Sequence, residues 1–482
     1  MTATKPLTFM PPATTLSPPP AGANTPATVA PTSGALPFVI PGVPGAAATP
    51  ATPDEALSCA FGPPPTVQRL SPDDVKALLA TYDVGPADGD GRLVVVAMSG
   101  GVDSAVTALV LRERGYRVVG MNMRLYNPPD GTGHVNPCCS LAAMEDARST
   151  CAVIDVPFYP LAMQEEFETH VIGHFVDAYA EGRTPNPCLE CNRTIKFRHL
   201  IAHSRKLGAT ALATGHYARI ERSAEGTYHL YSAIDDKKDQ SYALHTLSQE
   251  QLAYLQFPLG RLRKPQVREL ARAFGLPVAE KPESQDICFV GKGSYAAFVA
   301  ARRPELTAPG TIELRDGTPI GEHHGLLNFT IGQRRGIRVA QAEPLFVQRL
   351  DTQRNVLVVG PRADLAVQTL RATGVSLTQA GWPTEPFECE AMVRYRGSRH
   401  AAHVEPLEVG SLRVTFIDED SMPSAAAPGQ AVVFYRDAEV LGGGTIAGPD
   451  AAPRQMLTLT PTLTHAHAHA HAHAHAHATD EG

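Results

Sequence analysis

Apolar residues along this chain fall into runs whose spacing predicts elements of different kinds. Arg92-Leu93-Val94-Val95-Val96-Ala97-Met98 is almost continuously apolar, the pattern of a strand covered on both faces. Ahead of it, 71–81 reads as a short helix with Ser71 as N-cap and Pro72 in its first turn. Behind it come the loop Ser99-Gly100-Gly101-Val102-Asp103-Ser104, helical periodicity over 105–114, a stop at Gly115 and a second apolar run over 116–123. Strand, loop, helix, strand is a βαβ unit, and its crossover predicts parallel pairing. The alternation continues with helices over 143–151, 165–180 and 194–207, a short strand over 156–160, a strand over 211–214 and a helical stretch over 248–275. Such a series predicts a doubly wound α/β domain. From Gly310 the pattern shifts to short β runs and turn pairs: Asp316-Gly317, then 356–360 and 432–435. Two small β domains are expected there, the second a barrel.

Composition removes both ends from the folded part. The first 65 residues hold 16 of the 42 prolines with almost no charge, and His alternates with Ala from His465 to His477. Neither stretch can bury enough apolar surface to offset the entropy of ordering it, so both are expected to be disordered. The expected organisation is an extension over 1–87, an α/β domain over 88–295, a small β-rich domain over 296–365, a β-barrel over 366–450 and a tail over 451–482. The net charge is −7; residues 1–90 carry three basic and seven acidic side chains and 451–482 one and two, which leaves −2 for the core. Any polyanion site must therefore be a local basic patch. No apolar run approaches the ~20 residues of a membrane span. Pro37, Pro41 and Pro44 break the best candidate for a secretory segment, and Lys5 is the one basic residue before Arg69. The expected location is the cytoplasm, where eight cysteines mean thiol chemistry, metal binding or buried thiols rather than a disulfide framework.

The loop 99–104 lies between a buried strand and a helix. Two glycines allow close backbone approach, and the helix start offers unpaired N–H groups and a positive dipole, which suits a phosphate or pyrophosphate. Without Gly-Lys-Ser/Thr it is not a Walker loop. Cys188-x-x-Cys191 could be half of a zinc site with Cys138-Cys139, but the second pair lacks ligand spacing, so no metal site is expected. His216 follows a strand at the end where α/β sheets bind ligands. Cys59, Cys151 and Cys389 have no motif around them and are expected to be spectators.

The hexapeptide resembles the PP-loop of the ATP pyrophosphatases. Residues 182–197, running from Gly182-Arg183-Thr184-Pro185-Asn186-Pro187-Cys188 through Leu189-Glu190-Cys191-Asn192-Arg193, resemble the bacterial tRNA 2-thiouridylase family, as do Lys238-Asp239-Gln240-Ser241-Tyr242, Ser284-Gln285-Asp286-Ile287-Cys288-Phe289, Val393-Arg394-Tyr395-Arg396 and Gly442-Gly443-Gly444. The likeness runs in order over about 91–448. It implies ATP-dependent 2-thiolation of the tRNA wobble uridine, with ATP and Mg2+ expected, and with Ala97, Met98, Ser99 to Ser104, Met123 and Gly215 at the nucleotide. Cys288 would carry a persulfide, and Cys191 would be the partner nucleophile, the two forming a transient disulfide. Asn186, Pro187, Cys188, His216, Lys238, Asp239, Gln240, Arg394, Tyr395 and Gln430 would meet tRNA or its target base. Implied partners are tRNA and a persulfide-donor protein, with the enzyme acting as a monomer on tRNA. Two departures stand out: many relatives carry Asp where this chain has Cys188, and Asn122-Met123-Arg124 matches loosely. Basic groups at 193–206, 261–272, 334–338 and 394–399 are expected to supply a discontinuous phosphate-binding surface. The alternatives are another PP-loop ligase, which needs no cysteine pair, or a non-catalytic binding protein with a vestigial loop.

Overall fold

A computed structural model describes residues 71–85, 88–126, 141–283, 287–290, 294–379, 381–418 and 422–448. Residues 1–70 and 449–482, Cys59, Cys138-Cys139 and the motif residues 284–286 lie outside the described residues. The N-terminal helix α1 is Pro72–Ala80, with the Ser71 side chain accepting the Asp74 N–H as expected of its cap. The apolar run forms strand β1 (Leu93–Ala97), followed by helix α2 (Val102–Glu113) and β2 (Arg117–Arg124). Helix α2 starts three residues earlier than its periodicity suggests, which brings Val102, Asp103 and Ser104 into its first turn. Helix α3 (Leu141–Val153) leads to β3 (Phe158–Ala162), and β4 (Ala211–Ala213) precedes the hairpin β5 (Ala218–Arg222) and β6 (Tyr228–Ser232). Strand β7 is Leu255–Gln256.

Strands β3-β2-β1-β4-β7 form a sheet in that order, with every pairing parallel. The order reverses direction at β1 and β4, so a crevice opens between their carboxyl ends. Val94 and Val96 pack on one face with α2 and the helix Lys264–Ala273, while Val95 faces Phe197, Leu200 and Leu212 on the other. That double burial explains the unbroken apolar run.

The stretch 248–275 is not one helix. Helix Gln249–Tyr254 ends at β7, a 3-10 turn Pro258–Arg261 follows, and only then does Lys264–Ala273 begin, with Pro265 in its first turn. Pro258 and Gly260 stop helical continuation, and the two-residue strand between the helices completes the sheet.

Strands β8 (Pro309–Leu314), β9 (Pro319–His324), β10 (Phe346–Asp351) and β11 (Val356–Gly360) make a four-stranded sheet in the order β10-β11-β8-β9. Strands β12 (Thr369–Leu377), β13 (Phe387–Met392), β14 (His400–Glu408), β15 (Ser411–Phe416), β16 (Ala431–Arg436) and β17 (Glu439–Ile446) close into a six-stranded barrel through the β12–β17 pairing. The sequence pattern did not reveal that β6 pairs with β17, through Val440 and Leu230, and so joins the α/β domain's hairpin to the barrel wall. The glycine triplet sits at this junction. A Cβ on Gly443 would lie 2.5 Å from the Val432 carbonyl and 2.7 Å from the His245 ring. Among the described residues no helix is long and apolar enough to cross a membrane.

Candidate active site

The loop 99–104 closes around one hydroxyl. Ser104 Oγ accepts the Ser99 N–H at 3.1 Å, donates to the Gly101 carbonyl at 3.1 Å and lies 3.2 Å from Ser99 Oγ. Gly100 has a φ of +70°, and a Cβ there would sit 2.1 Å from the Ala143 carbonyl oxygen, so only glycine fits between the loop and α3. Gly101 caps α2 with no side-chain bond of its own. Gly215, just past β4, packs so closely that a Cβ would meet the Ser104 backbone nitrogen at 2.9 Å. Met98 follows β1, and its carbonyl accepts from the buried Asn122 side chain at 2.7 Å, which joins the loop's entry to β2 beside Met123.

Asp103 is held by two side chains through three contacts. Tyr217 Oη donates to it at 2.7 Å, and Lys264 Nζ reaches both its oxygens at 2.7 and 2.8 Å. Burial, reinforced by the Asp103 charge, drives the Tyr217 phenol far above its usual range, so it is a permanent donor. Lys264, only 7% exposed, also lies 3.0 Å from Glu283. Burial alone would raise the Glu283 carboxyl, but the hydrogen bonds and charges of Lys238 and Lys264 outweigh it and set its pKa at about 2. Lys281 Nζ donates to the Gly100 carbonyl at 2.8 Å and pairs with Asp146 at 2.5 Å. Tyr217, Lys264, Lys281 and Glu283 were not singled out from sequence for this site. Their signal in the sequence is adjacency to His216 and to the 238–242 and 284–289 motifs, and Lys264 reads there as one cation of the basic group 261–272.

The cysteines occupy a different environment. The helix expected from Thr194 actually starts at Pro187, because Asn186 accepts the Cys188 N–H at 3.1 Å as N-cap and Pro187 fills the first position. The helix runs over 187–206, with π-type turns over Cys191–Leu200. Cys188 is therefore exposed in the first turn, and Cys191 is buried one turn on. Cys191 belongs to an apolar cluster with Phe167, Phe175, Ile195 and Phe289, and half-buried Cys288 packs against the same cluster. Phe289 anchors its segment by edge-to-face contacts with Phe167 and Phe175, at 5.7 and 5.3 Å between centroids. Met123 touches this cluster and also the core beneath the sheet, so it bridges the two. Among the described residues no three His, Cys, Asp or Glu side chains converge on a metal position.

The residues read as tRNA contacts are spread over several elements. His216 is buried between Phe197 and Phe257, with Nδ1 2.6 Å from the Thr214 hydroxyl. Burial, helped by the Lys196 charge, holds its imidazole well below the usual range. Lys238 pairs with Glu283 at 2.5 Å. Asp239 accepts from the Ala233 and Ser241 N–H groups, and Gln240 accepts the Tyr217 N–H at 3.0 Å. Gln430 donates to the Thr184 carbonyl at 2.9 Å, fixing the barrel beside the 182–191 segment. Arg394 is exposed, next to half-buried Tyr395. The basic group at 261–272 is not an open cationic face. Lys264 is buried against Asp103, Arg268 donates to the Ala279 and Lys281 carbonyls, and Arg261 and Arg272 are paired with Asp83 and Glu280. Arg399 likewise stacks on Tyr435 and donates to Ser232.

Sequence comparison finds matches in three successive segments between residues 92 and 446. Residues 92–292 match the profile of a tRNA methyl transferase HUP domain, 296–361 a tRNA methyl transferase PRC-barrel domain and 367–446 an aminomethyltransferase beta-barrel domain. The tRNA-specific 2-thiouridylase MnmA of Roseiflexus castenholzii is 44% identical over 73% of this chain and 99% of its own length. The one of Geobacter metallireducens is 46% identical over 74% of this chain and 96% of its own length. The chain belongs to the tRNA-specific 2-thiouridylase family.

Proposed function

We propose that this enzyme is a tRNA-uridine 2-sulfurtransferase that replaces the C2 oxygen of the wobble uridine with sulfur at the expense of ATP. That oxygen is a poor leaving group until it attacks the ATP α-phosphate, expelling pyrophosphate and becoming an adenylate. Ser99 to Ser104 and Gly215 would cradle the phosphates, Ala97, Met98 and Met123 would line the nucleoside, and the loop's N–H groups and hydroxyls would stabilise the developing charge. Mg2+ would arrive on the phosphates, since it commonly uses one or two carboxylates beside phosphate oxygens and water.

Sulfur would come from a donor protein as a persulfide on Cys288. Its terminal sulfur attacks C2 and AMP leaves. The Cys191 thiolate attacks the inner sulfur, the S–S bond of the persulfide breaks, and a Cys191–Cys288 disulfide remains for an external reductant to reset. The observation that carries this reading is the packing of both motif cysteines against one apolar cluster that Met123 links to the sheet end bearing the loop. Sulfur rather than methyl transfer is favoured because making an oxygen leave as AMP serves substitution at carbon, whereas methylation leaves that oxygen in place. Asn186, Pro187, Cys188, His216, Lys238, Asp239, Gln240, Arg394, Tyr395 and Gln430 are proposed to meet tRNA. No carboxylate role passes to Cys188. A monomer acting on tRNA in the cytoplasm completes the reading.

Mass spectrometry of tRNA nucleosides after incubation with ATP and a persulfide source should show 2-thiouridine at the wobble position only when both are present. Sulfur incorporation without ATP, or ATP consumption with no thiolated product, would overturn it. Arg394→Ala should weaken tRNA binding and flatten the slope of log affinity against log salt by roughly one.

A further inference from the structure

Four groups of alternating charge run in a line from the phosphate loop to the segment that begins at Lys238. Asp103 is bound by Lys264, Lys264 lies 3.0 Å from Glu283 Oε1, and Glu283 Oε2 lies 2.5 Å from Lys238. The line is graded in exposure. The Lys264 side chain is 9% exposed, while Glu283 and Lys238 are 27% and 28% exposed. A buried ammonium cannot exchange a lost carboxylate for water cheaply, whereas the outer lysine can change partners. Among the described residues, Glu283 is thus the one group shared by both lysines. Its own segment is also tied to the loop, because Lys281 holds the Gly100 carbonyl.

We propose that Glu283 is a positioning residue through which an RNA phosphate drawn to Lys238 acts on the phosphate loop. An anion at Lys238 takes that lysine from Glu283. The carboxylate then has Lys264 as its one remaining lysine partner, draws it closer and loosens its hold on both Asp103 oxygens. Asp103, in the first turn of α2, keeps its Oδ1 bond to Tyr217 but can offer Oδ2 to the nucleotide side when RNA is present. The arrangement would suppress attack of water on the ATP α-phosphate, which gives AMP and pyrophosphate, in the absence of tRNA. This inference rests on the reading above that Lys238 meets tRNA.

The test compares pyrophosphate release from ATP without tRNA and with a saturating unmodified tRNA transcript, in the full-length enzyme and in each variant. The wild type should be stimulated by tRNA. In Glu283→Gln the ratio of the two rates should fall by at least ~10-fold, within the usual range of coupling between two sites. The KM for ATP should stay within about threefold, which separates a lost coupling from a damaged nucleotide site. Glu283→Asp, which keeps the charge with a shorter reach, should give an intermediate ratio, and it serves as the test variant if Glu283→Gln does not fold. The double variant Lys238→Gln/Glu283→Gln should have the same ratio as Glu283→Gln alone, since both changes cut one line. An unchanged ratio in Glu283→Gln, or an additive loss in the double variant, overturns the coupling and leaves the thiolation reading intact. A wild-type enzyme that releases no pyrophosphate with ATP and tRNA overturns that reading, and the coupling with it.

Discussion

The phosphate loop and the cysteine cluster lie at the same end of the α/β domain, yet they are built from opposite materials. Around the loop the polar side chains hold one another: Ser104 Oγ bonds Ser99 and Gly101, Asp103 bonds Tyr217 and Lys264, and Glu283 pairs with two lysines. Around Cys191 the neighbours are Phe167, Phe175, Ile195 and Phe289. The difference follows from what each half-reaction would demand. Charge that develops on phosphate is stabilised by dipoles already fixed in place. A persulfide and an adenylated base must instead meet away from water, which would hydrolyse the intermediate. Fixed charge suits the first task, and an aromatic wall the second.

The largest effect expected from breaking one side is loss of the cysteines. Cys191→Ser and Cys288→Ser should each reduce multiple-turnover thiolation by at least ~10³-fold, as removal of a nucleophile generally does. They should fail at different stages: intact-mass measurement should find a protein-bound persulfide in Cys191→Ser and none in Cys288→Ser. Persulfide found on Cys191 and never on Cys288 would exchange their roles. On the charged side, Asp103→Ala or Ser104→Ala should lower turnover by at least ~10²-fold, the scale of a lost preorganised group. Near-normal rates in both variants at saturating ATP would remove the loop from the chemistry.

Local sequence shows the two sides unequally. Strand β1, the glycines of the loop and the direction of the sheet were legible, because periodicity and Gly chemistry act over a few residues. The clamp on Asp103 was not, because Lys264 lies 161 positions away and looks like one cation of a basic run. Only the fold shows that Arg268 serves carbonyl groups and that Arg261 and Arg272 already have carboxylates. The helix start at Pro187 was missed although Asn186-Pro187 is a cap signal, since the apolar period becomes clear only beyond Cys191. Pairing of β6 with β17 joins residues some two hundred positions apart, and no local pattern announces it.

Acid should separate the packed regions from the charged one. Glu283, with its pKa held at about 2, keeps its ion pairs as pH falls. Its contribution is present above the ordinary carboxylate range and is lost only as pH drops toward that value. His245, fully buried beside Tyr242 and Gly443, behaves differently: burial lowers its pKa to about 4, against a weaker opposing bond to the Tyr242 carbonyl. Below about pH 6.5 the unfolded chain takes up a proton that the folded chain refuses, so stability falls with pH until about 4. The loss attributable to His245 is up to about 3 kcal/mol, and buried His216 acts in the same direction. Urea midpoints measured from pH 7 to 4 should show this slope, and His245→Gln should flatten it. An equal slope in the variant would place the acid sensitivity elsewhere.

The smallest effect concerns a cysteine that should do nothing. Cys151 lies in α3 with no exposed surface, packed under β2, where its sulfur would lie 2.5 Å from a Cβ on Gly120. Burial alone pushes its thiol up to about 12. At pH 8 its thiolate fraction is then on the order of 10⁻⁴, and the thiolate is the reactive form. Half-buried Cys288 has no such barrier of full burial. Iodoacetamide on the native protein should therefore label Cys288 while Cys151 stays unmodified until the chain is unfolded. Cys151→Ala should leave turnover within about twofold and cost about 1 kcal/mol of stability, the scale of a small buried deletion. Labelling of Cys151 as fast as Cys288, or loss of turnover in Cys151→Ala, would mean that sulfur chemistry in this enzyme is not confined to the two motif cysteines.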